Sequence, residues 1–266
     1  MSKTKFEEII NIENVKNAAK TFGKEAPFDH AVIDNFFKED FAKKLESEFP
    51  DFNDPLWHQY SNPIEIKKVC NDWNIFPANT YKAFATLNSP EFVDFLAGEV
   101  FGNKKLHSDP GLNGGGWHMH GKGGKLNTHL DYSIHPKLGL ERKLNIIIYL
   151  NSSWKPEWGG HLGLWGNESA EKPGKLIKSV EPKYNRAAIF DTTQNSWHGL
   201  PNPLTCPDNQ QRKSLAVYYL CEPAKGASER GKALFAPTEE QSLDQEVLDL
   251  IKKRSNVATA AEVYKK

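Results

Sequence analysis

Cysteine is scarce: Cys70, Cys206 and Cys221 are the three that the 266-residue chain carries. They are odd in number, widely spaced and form no Cys-x-x-Cys pair. A disulfide framework is thereby excluded, and free thiols in a reducing compartment are expected. Net charge is also lacking, with 34 Lys and Arg against 34 Asp and Glu. There is no basic excess to mark nucleic acid as a partner. No apolar run approaches the roughly 18 residues of a membrane span. The opening residues, Met1-Ser2-Lys3-Thr4-Lys5-Phe6-Glu7-Glu8, contain no hydrophobic signal segment. These absences lead to an expectation of a cytoplasmic protein with neither a nucleic-acid nor a membrane partner. Internal repeats and low-complexity linkers are missing too, which favours a single domain over 1–266.

Aromatic residues are plentiful. Seven Trp and 15 Phe imply a bulky, aromatic-lined interior, and the length is enough to bury a real core. Residues 1–112 read as helical and irregular support. Phe6, Ile9, Ile10, Ile12 and Val15 recur at helical spacing, Ala31 to Phe37 suggests a short strand and turn, and Phe41 to Phe49 a helix ending before Pro50. The stretch from Asp51 to Thr80, rich in Asn, Pro and Trp, suggests irregular covering structure. A further helix is expected from Pro90 to Phe101, with Pro in its first turn.

From about residue 113 the texture becomes short apolar segments punctuated by glycine and proline. These include Trp117 to His120, the stretch around His129, Leu144 to Leu150, Gly159 to Trp165, Lys175 to Val180, Arg186 to Asp191 and Ser214 to Leu220. Such spacing without intervening helices predicts an antiparallel β-sandwich or barrel over 113–222. Residues 223–266 read as a helical extension, with a helix from Glu239 to Lys253 and a frayed final dozen residues.

The chemistry gathers at Thr128-His129-Leu130-Asp131 and Ser196-Trp197-His198. On a strand, His129 and Asp131 share a face, and a neighbouring strand could deliver His198. Two histidines and one carboxylate with open positions are the ligand set of non-haem Fe(II) oxygenases. A hydrogen-bonded His–Asp pair is the plainer alternative, and His107-Ser108-Asp109 has the same spacing. Arg212 and Ser214 share a face of the final strand. An inward Arg needs a partner, which the carboxylate of a bound acid would supply in bidentate fashion, with the Ser hydroxyl as an added donor. Tyr149 shares a face with Asn145 and Ile147, and its hydroxyl could join the same carboxylate.

Over residues 113–222 these features resemble the Fe(II)- and 2-oxoglutarate-dependent oxygenases, in their prolyl-4-hydroxylase-like branch. The resemblance rests on His129-x-Asp131, Tyr149-Leu150-Asn151, Gly159-Gly160-x-Leu162, the distal His198 and Arg212 on the last strand. It implies a mainly β fold with supporting helices, built on a double-stranded β-helix (jelly-roll) core. It also implies Fe(II) held by His129, Asp131 and His198, with 2-oxoglutarate paired to Arg212, Tyr149 and Ser214. Dioxygen and ascorbate are the further co-reactants. The implied activity is hydroxylation of an unactivated C–H bond coupled to decarboxylation of 2-oxoglutarate to succinate and CO2.

The implied substrate is a small molecule or a peptide: a peptidyl proline, an amino acid or a sugar-containing metabolite. The segment between His198 and Arg212, with Pro201, Pro203 and Pro207, is longer than is usual in that branch and suggests an entrance loop. His118 and His120 are left without a role. Asp131 disfavours a halogenase. Tyr218, where nucleic-acid demethylases carry a second Arg, disfavours that class. A cupin-like small-molecule or sugar-binding barrel without catalysis is the alternative from outside the enzymes.

Overall fold

The computed structural model describes residues 5–260 and 263; part of the terminal dozen expected to fray lies outside the described residues. Its helices are α1 (Ile12–Ala19), α2 (Glu39–Ser47), α3 (Ala78–Leu87), α4 (Pro90–Val100) and α5 (Gln245–Ser255). The strands begin with β1 (His30–Ile33), β2 (His58–Asn62), β3 (Glu65–Cys70), β4 (His107–Ser108), β5 (Gly116–His120), β6 (Lys125–Leu126) and β7 (His129–Leu130). They continue with β8 (Glu141–Tyr149), β9 (Leu162–Ser169), β10 (Lys172–Val180), β11 (Ala187–Asp191), β12 (His198–Gly199), β13 (Arg212–Cys221) and β14 (Leu234–Phe235).

Two antiparallel sheets form. The larger runs β1-β11-β8-β13-β5-β3-β2, with β4 also on β13 and β6 also on β3; the smaller runs β10-β9-β12-β7-β14. Strand period sorts the faces of the larger sheet. Leu144, Ile146 and Ile148 of β8 and Leu215 and Val217 of β13 pack outward in the main aromatic core with Phe41, Phe84, Phe92 and Leu96 of α2 to α4. On the inner face, Ala188 and Phe190 meet Leu162, Leu164 and Val180 of the smaller sheet. This is the two-sheet arrangement of a jelly roll, with helices backing one sheet and a cavity left between the two.

Helix starts follow their capping chemistry. The Ser89 hydroxyl accepts the Phe92 N–H at α4, and the Asp244 carboxylate accepts the N–H groups of Glu246 and Val247 at α5. The irregular structure expected from Asp51 to Thr80 is corrected: this segment holds β2, β3 and the start of α3. The Asn62 side chain turns the β2–β3 hairpin by accepting from the N–H groups of Ile64 and Glu65, both at 3.0 Å. At α3 the first N–H groups are satisfied from far away. Glu48 accepts from Asn79 at 3.0 Å and from Thr80 at 2.6 Å, a cap that no local pattern contains.

Candidate metal and 2-oxoacid site

His129 and His198 are directly opposed where β7 pairs with β12. Glycine after His198 makes that approach possible, because a Cβ at Gly199 would lie 2.8 Å from the Leu126 carbonyl and 2.9 Å from that of Asn127. The imidazole Nδ1 atoms bond to backbone carbonyls, His129 to Asn127 at 2.9 Å and His198 to Ser196 at 2.8 Å. Both Nε2 atoms are thereby turned toward Asp131, in the orientation by which a backbone carbonyl presents a metal-binding histidine. Asp131 is not on a shared strand with His129, as the spacing suggests; β7 ends at Leu130. Its carboxylate reaches the site from the following turn, where Arg230 fixes the Asp131 carbonyl with bonds of 3.0 and 2.8 Å.

The Asp131 oxygens stand 3.9 Å from His129 Nε2 and 3.8 Å from His198 Nε2. These distances are too long for hydrogen bonds. All three ligand atoms lie within 4.8 Å of one another, and all three residues are buried. Asp131 Oδ2 has no hydrogen-bond partner, and a buried carboxylate oxygen left so is costly unless a cation meets it. The donor set, two neutral nitrogens and one carboxylate on one side of a cavity, fits Fe(II).

Protonation states suit ligation. Burial, then the charge of His198, pushes His129 down to about 3 against the pull of Asp131. Burial likewise lowers His198. Burial would raise Asp131, but the opposing charges, that of Arg142 first among them, hold the carboxyl below its ordinary value. Neutral imidazoles beside an ionised carboxylate are what a divalent cation requires at neutral pH.

The sequence does not flag Arg142. By strand alternation it belongs with Leu144 on the outer face of β8. The β8–β13 register, however, jumps between Tyr219↔Leu144 and Leu220↔Arg142. This one-residue bulge at Lys143 re-aims Arg142 inward. There its guanidinium lies 3.5 Å from the ring centres of both Tyr132 and Tyr218. It also donates to the Asn113 carbonyl and stands 3.4 Å from Asp131 Oδ1. Tyr218 thus serves as one jaw of a clamp on Arg142.

Arg212 and Ser214 enter the same cavity from β13. The Arg212 Nε donates to the Gly160 carbonyl at 2.7 Å. Its guanidinium sits 4.8 Å from the Tyr149 ring centre, and no carboxylate of the described residues pairs with it. The Ser214 hydroxyl is buried without a hydrogen-bond partner, and the Tyr149 hydroxyl has none beyond the neighbouring Arg212 guanidinium. A cation that no carboxylate pairs with, flanked by two hydroxyls, fits the distal carboxylate of a 2-oxoacid. The Gly-Gly motif acquires a physical reason here: at Gly160 φ is +75° and a Cβ would lie 2.8 Å from Arg212 Cδ. Gly160→Ala is expected to cost about 1–3 kcal/mol by overpacking and to raise the 2-oxoglutarate requirement. Gly159→Ala, whose Cβ meets nothing nearer than 4.0 Å, shares the strain of a positive φ (+78°) but not the overpacking, and is expected to leave the 2-oxoglutarate requirement unchanged. Urea unfolding and oxoglutarate titration of the two variants check this.

Of the His198–Arg212 connection, only its first residues, Gly199 and Leu200, line the cavity, which has a volume of about 370 Å³. Leu204 and Cys206 instead pack with Leu200, Trp154 and Trp158, so the segment is an extended surface loop, as expected, pinned at two buried side chains and otherwise largely exposed. The other His-x-Asp triplet is structural: Asp109 caps the turn through Gly111 and Asn113, while His107 stands 3.5 Å from Glu222. His118 and His120 do face the cavity. Among the described residues no helix is long and apolar enough to cross a membrane.

Comparison with known proteins agrees with this geometry. Residues 115–220 match the family model for the 2OG-Fe(II) oxygenase superfamily. Over 195 residues, 73% of this chain, the sequence is 26% identical to prolyl 3-hydroxylase OGFOD1 of Xenopus laevis. The match spans about a third of that relative's length (35%). Among solved structures, a Pseudomonas putida prolyl-4-hydroxylase superposes with a TM-score of 0.57 at 14% identity, covering 78% of this chain and 99% of that one. A Phytophthora capsici prolyl 4-hydroxylase gives a TM-score of 0.55 at 21% identity, covering 96% and 78%. These structural likenesses show a shared fold.

Proposed function

We propose that this chain, whose residues 115–220 match the family model of the 2OG-Fe(II) oxygenase superfamily, is a 2-oxoglutarate-dependent hydroxylase acting on a prolyl residue of a peptide. The observation that carries the reading is the cluster of His129, Asp131 and His198 in one cavity with Arg212, a buried cation that no carboxylate among the described residues pairs with. The prolyl part draws on the curated relative, a prolyl 3-hydroxylase. A free amino acid is the second reading, since a cavity of about 370 Å³ would also hold one.

In this reading His129, Asp131 and His198 hold Fe(II), which supplies dioxygen activation coupled to decarboxylation of 2-oxoglutarate to succinate and CO2. The protein's own residues bind and orient. Arg212, Ser214 and Tyr149 take the distal carboxylate; burial holds the Tyr149 hydroxyl protonated, as a donor. The carbonyls of Asn127 and Ser196 keep the two imidazoles in the tautomer that leaves Nε2 free. Arg142 keeps Asp131 ionised and turned inward. The walls of the cleft exclude bulk water, which strengthens each of these charge interactions.

Under anaerobic conditions, Fe(II) and 2-oxoglutarate together are expected to give a weak visible absorption band that neither gives alone. Arg212→Met is expected to raise the 2-oxoglutarate concentration needed for that band by about ten- to a hundredfold, the worth of a charge-assisted contact. A loaded protein with no band would overturn the oxygenase reading in favour of a binding barrel.

A further inference from the structure

The inner face of the larger sheet continues past Arg212 onto strands that the proposed chemistry leaves unused. Where β13 meets β5, Arg212 opposes His120. Where β5 meets β3, the register runs Val69↔His118 and Lys68↔Met119, which puts Lys67 opposite His120 one step on. Where β3 meets β2, Lys67 opposes Tyr60. Opposed residues of antiparallel strands share a face. Arg212, His120, Lys67 and Tyr60 therefore make one row across four strands, and all four line the cavity.

The members beyond Arg212 are built for an anion. His120 is 3% exposed, and neither of its ring nitrogens has a hydrogen-bond partner. A buried imidazole left that way costs free energy that a bound ligand would recover. The Lys67 ammonium is held in place, 3.1 Å from Glu65 Oε2 and 5.1 Å from the centre of the Tyr60 ring, with its side chain 15% exposed. Lys67 lies two strands from Arg212, about 10 Å at sheet spacing. Glu65 is shared with Arg254, whose Nε stands 3.5 Å from its other oxygen, so two cations meet one carboxylate there, and a carboxylate held bidentately by Arg212 leaves that surplus positive charge to another group.

We propose that Lys67, His120 and Tyr60 form a substrate subsite that takes the carboxylate of an acidic side chain close to the target proline. This inference rests on the hydroxylase reading above. The ammonium supplies the charge, and the imidazole N–H and phenol hydroxyl supply directed donors. The sequence supports no such grouping on its own, because Lys67 and His120 are 53 positions apart and β3 lies in the segment expected to be irregular.

The probes are short synthetic peptides with one central proline. A Glu is scanned through the flanking positions, and each peptide has a Gln counterpart. Succinate release is measured with the Fe(II)- and 2-oxoglutarate-loaded protein. At one position the Glu peptide is expected to half-saturate at a concentration about tenfold lower than its Gln partner, the worth of one charge-assisted contact. Lys67→Gln is expected to bring that ratio close to one, Lys67→Arg to keep it, and Lys67→Glu to shift preference to a Lys-containing peptide. The ratio is taken within each protein, so partial unfolding of a variant does not imitate the result. Equal response to Glu and Gln peptides overturns the subsite, as does a ratio that Lys67→Gln leaves unchanged. So does a rise in the 2-oxoglutarate requirement in place of a lost preference. Silence from every peptide while substrate-free succinate release persists also overturns it. Loss of that substrate-free release in the unmodified protein overturns the hydroxylase reading instead.

Discussion

Asp131→Ala is expected to remove 2-oxoglutarate turnover, lowering succinate formation by on the order of a thousandfold or more. Asp131 is the sole carboxylate of the buried cluster, flanked by two imidazoles that are neutral because burial depresses them. Without it, a divalent ion keeps two neutral ligands and loses its charge partner. Arg142, buried and clamped between Tyr132 and Tyr218, then loses the carboxylate 3.4 Å away and keeps only the charge of Asp109. Breaking a buried pair by removing one partner costs up to about 3–5 kcal/mol, so the variant is also expected to unfold at lower urea. Asp131→Asn separates the two effects, since it keeps the shape and the oxygen acceptor but not the charge. Unchanged succinate formation in a folded Asp131→Ala protein would show that the ligand set is misassigned.

Acid is expected to unfold the metal-free protein in a window set by its cavity histidines. Burial, the largest influence in each case, pushes His118 and His129 down to about 3, His120 well below its ordinary value, and His198 down as well. In the unfolded chain these groups titrate near 6.5. Between the folded and unfolded values the unfolded chain binds more protons, so stability falls as pH drops. The contribution is complete above about pH 6.5 and is lost progressively toward pH 3. Each neutral buried histidine is worth about 1.4 kcal/mol per pH unit inside that window. Asp131, held low, adds to the loss only at the acid end. A drop of several kcal/mol between pH 6.5 and 5 is expected in urea titrations, a large share of a typical domain's stability. His118→Gln is expected to reduce the slope by about one proton. A flat urea midpoint across this range would mean that the histidines are not held neutral in the fold.

Local spacing determined much of this molecule. Glycine-punctuated apolar segments marked the jelly-roll strands, Pro90 and the periodic Phe92, Leu96 and Val100 marked α4, and the strand period put Arg212 with Ser214 and Asn145 with Ile147 on inward faces. Those features depend on residues within a turn or a strand of one another, which a chain displays in its order. Tertiary structure alone decided the others. The bulge at Lys143 reverses the face of Arg142, and its cause is how β8 pairs with β13, not anything within β8. Glu48 caps a helix 31 residues on, and Asp131 reaches the histidines from a turn that Arg230 fixes from 99 residues away. The row from Arg212 to Tyr60 exists because β5, β3 and β2 lie side by side. His129-x-Asp131 could be read from the chain, but what surrounds it was chosen by pairing between strands far apart in sequence, where no local period reaches.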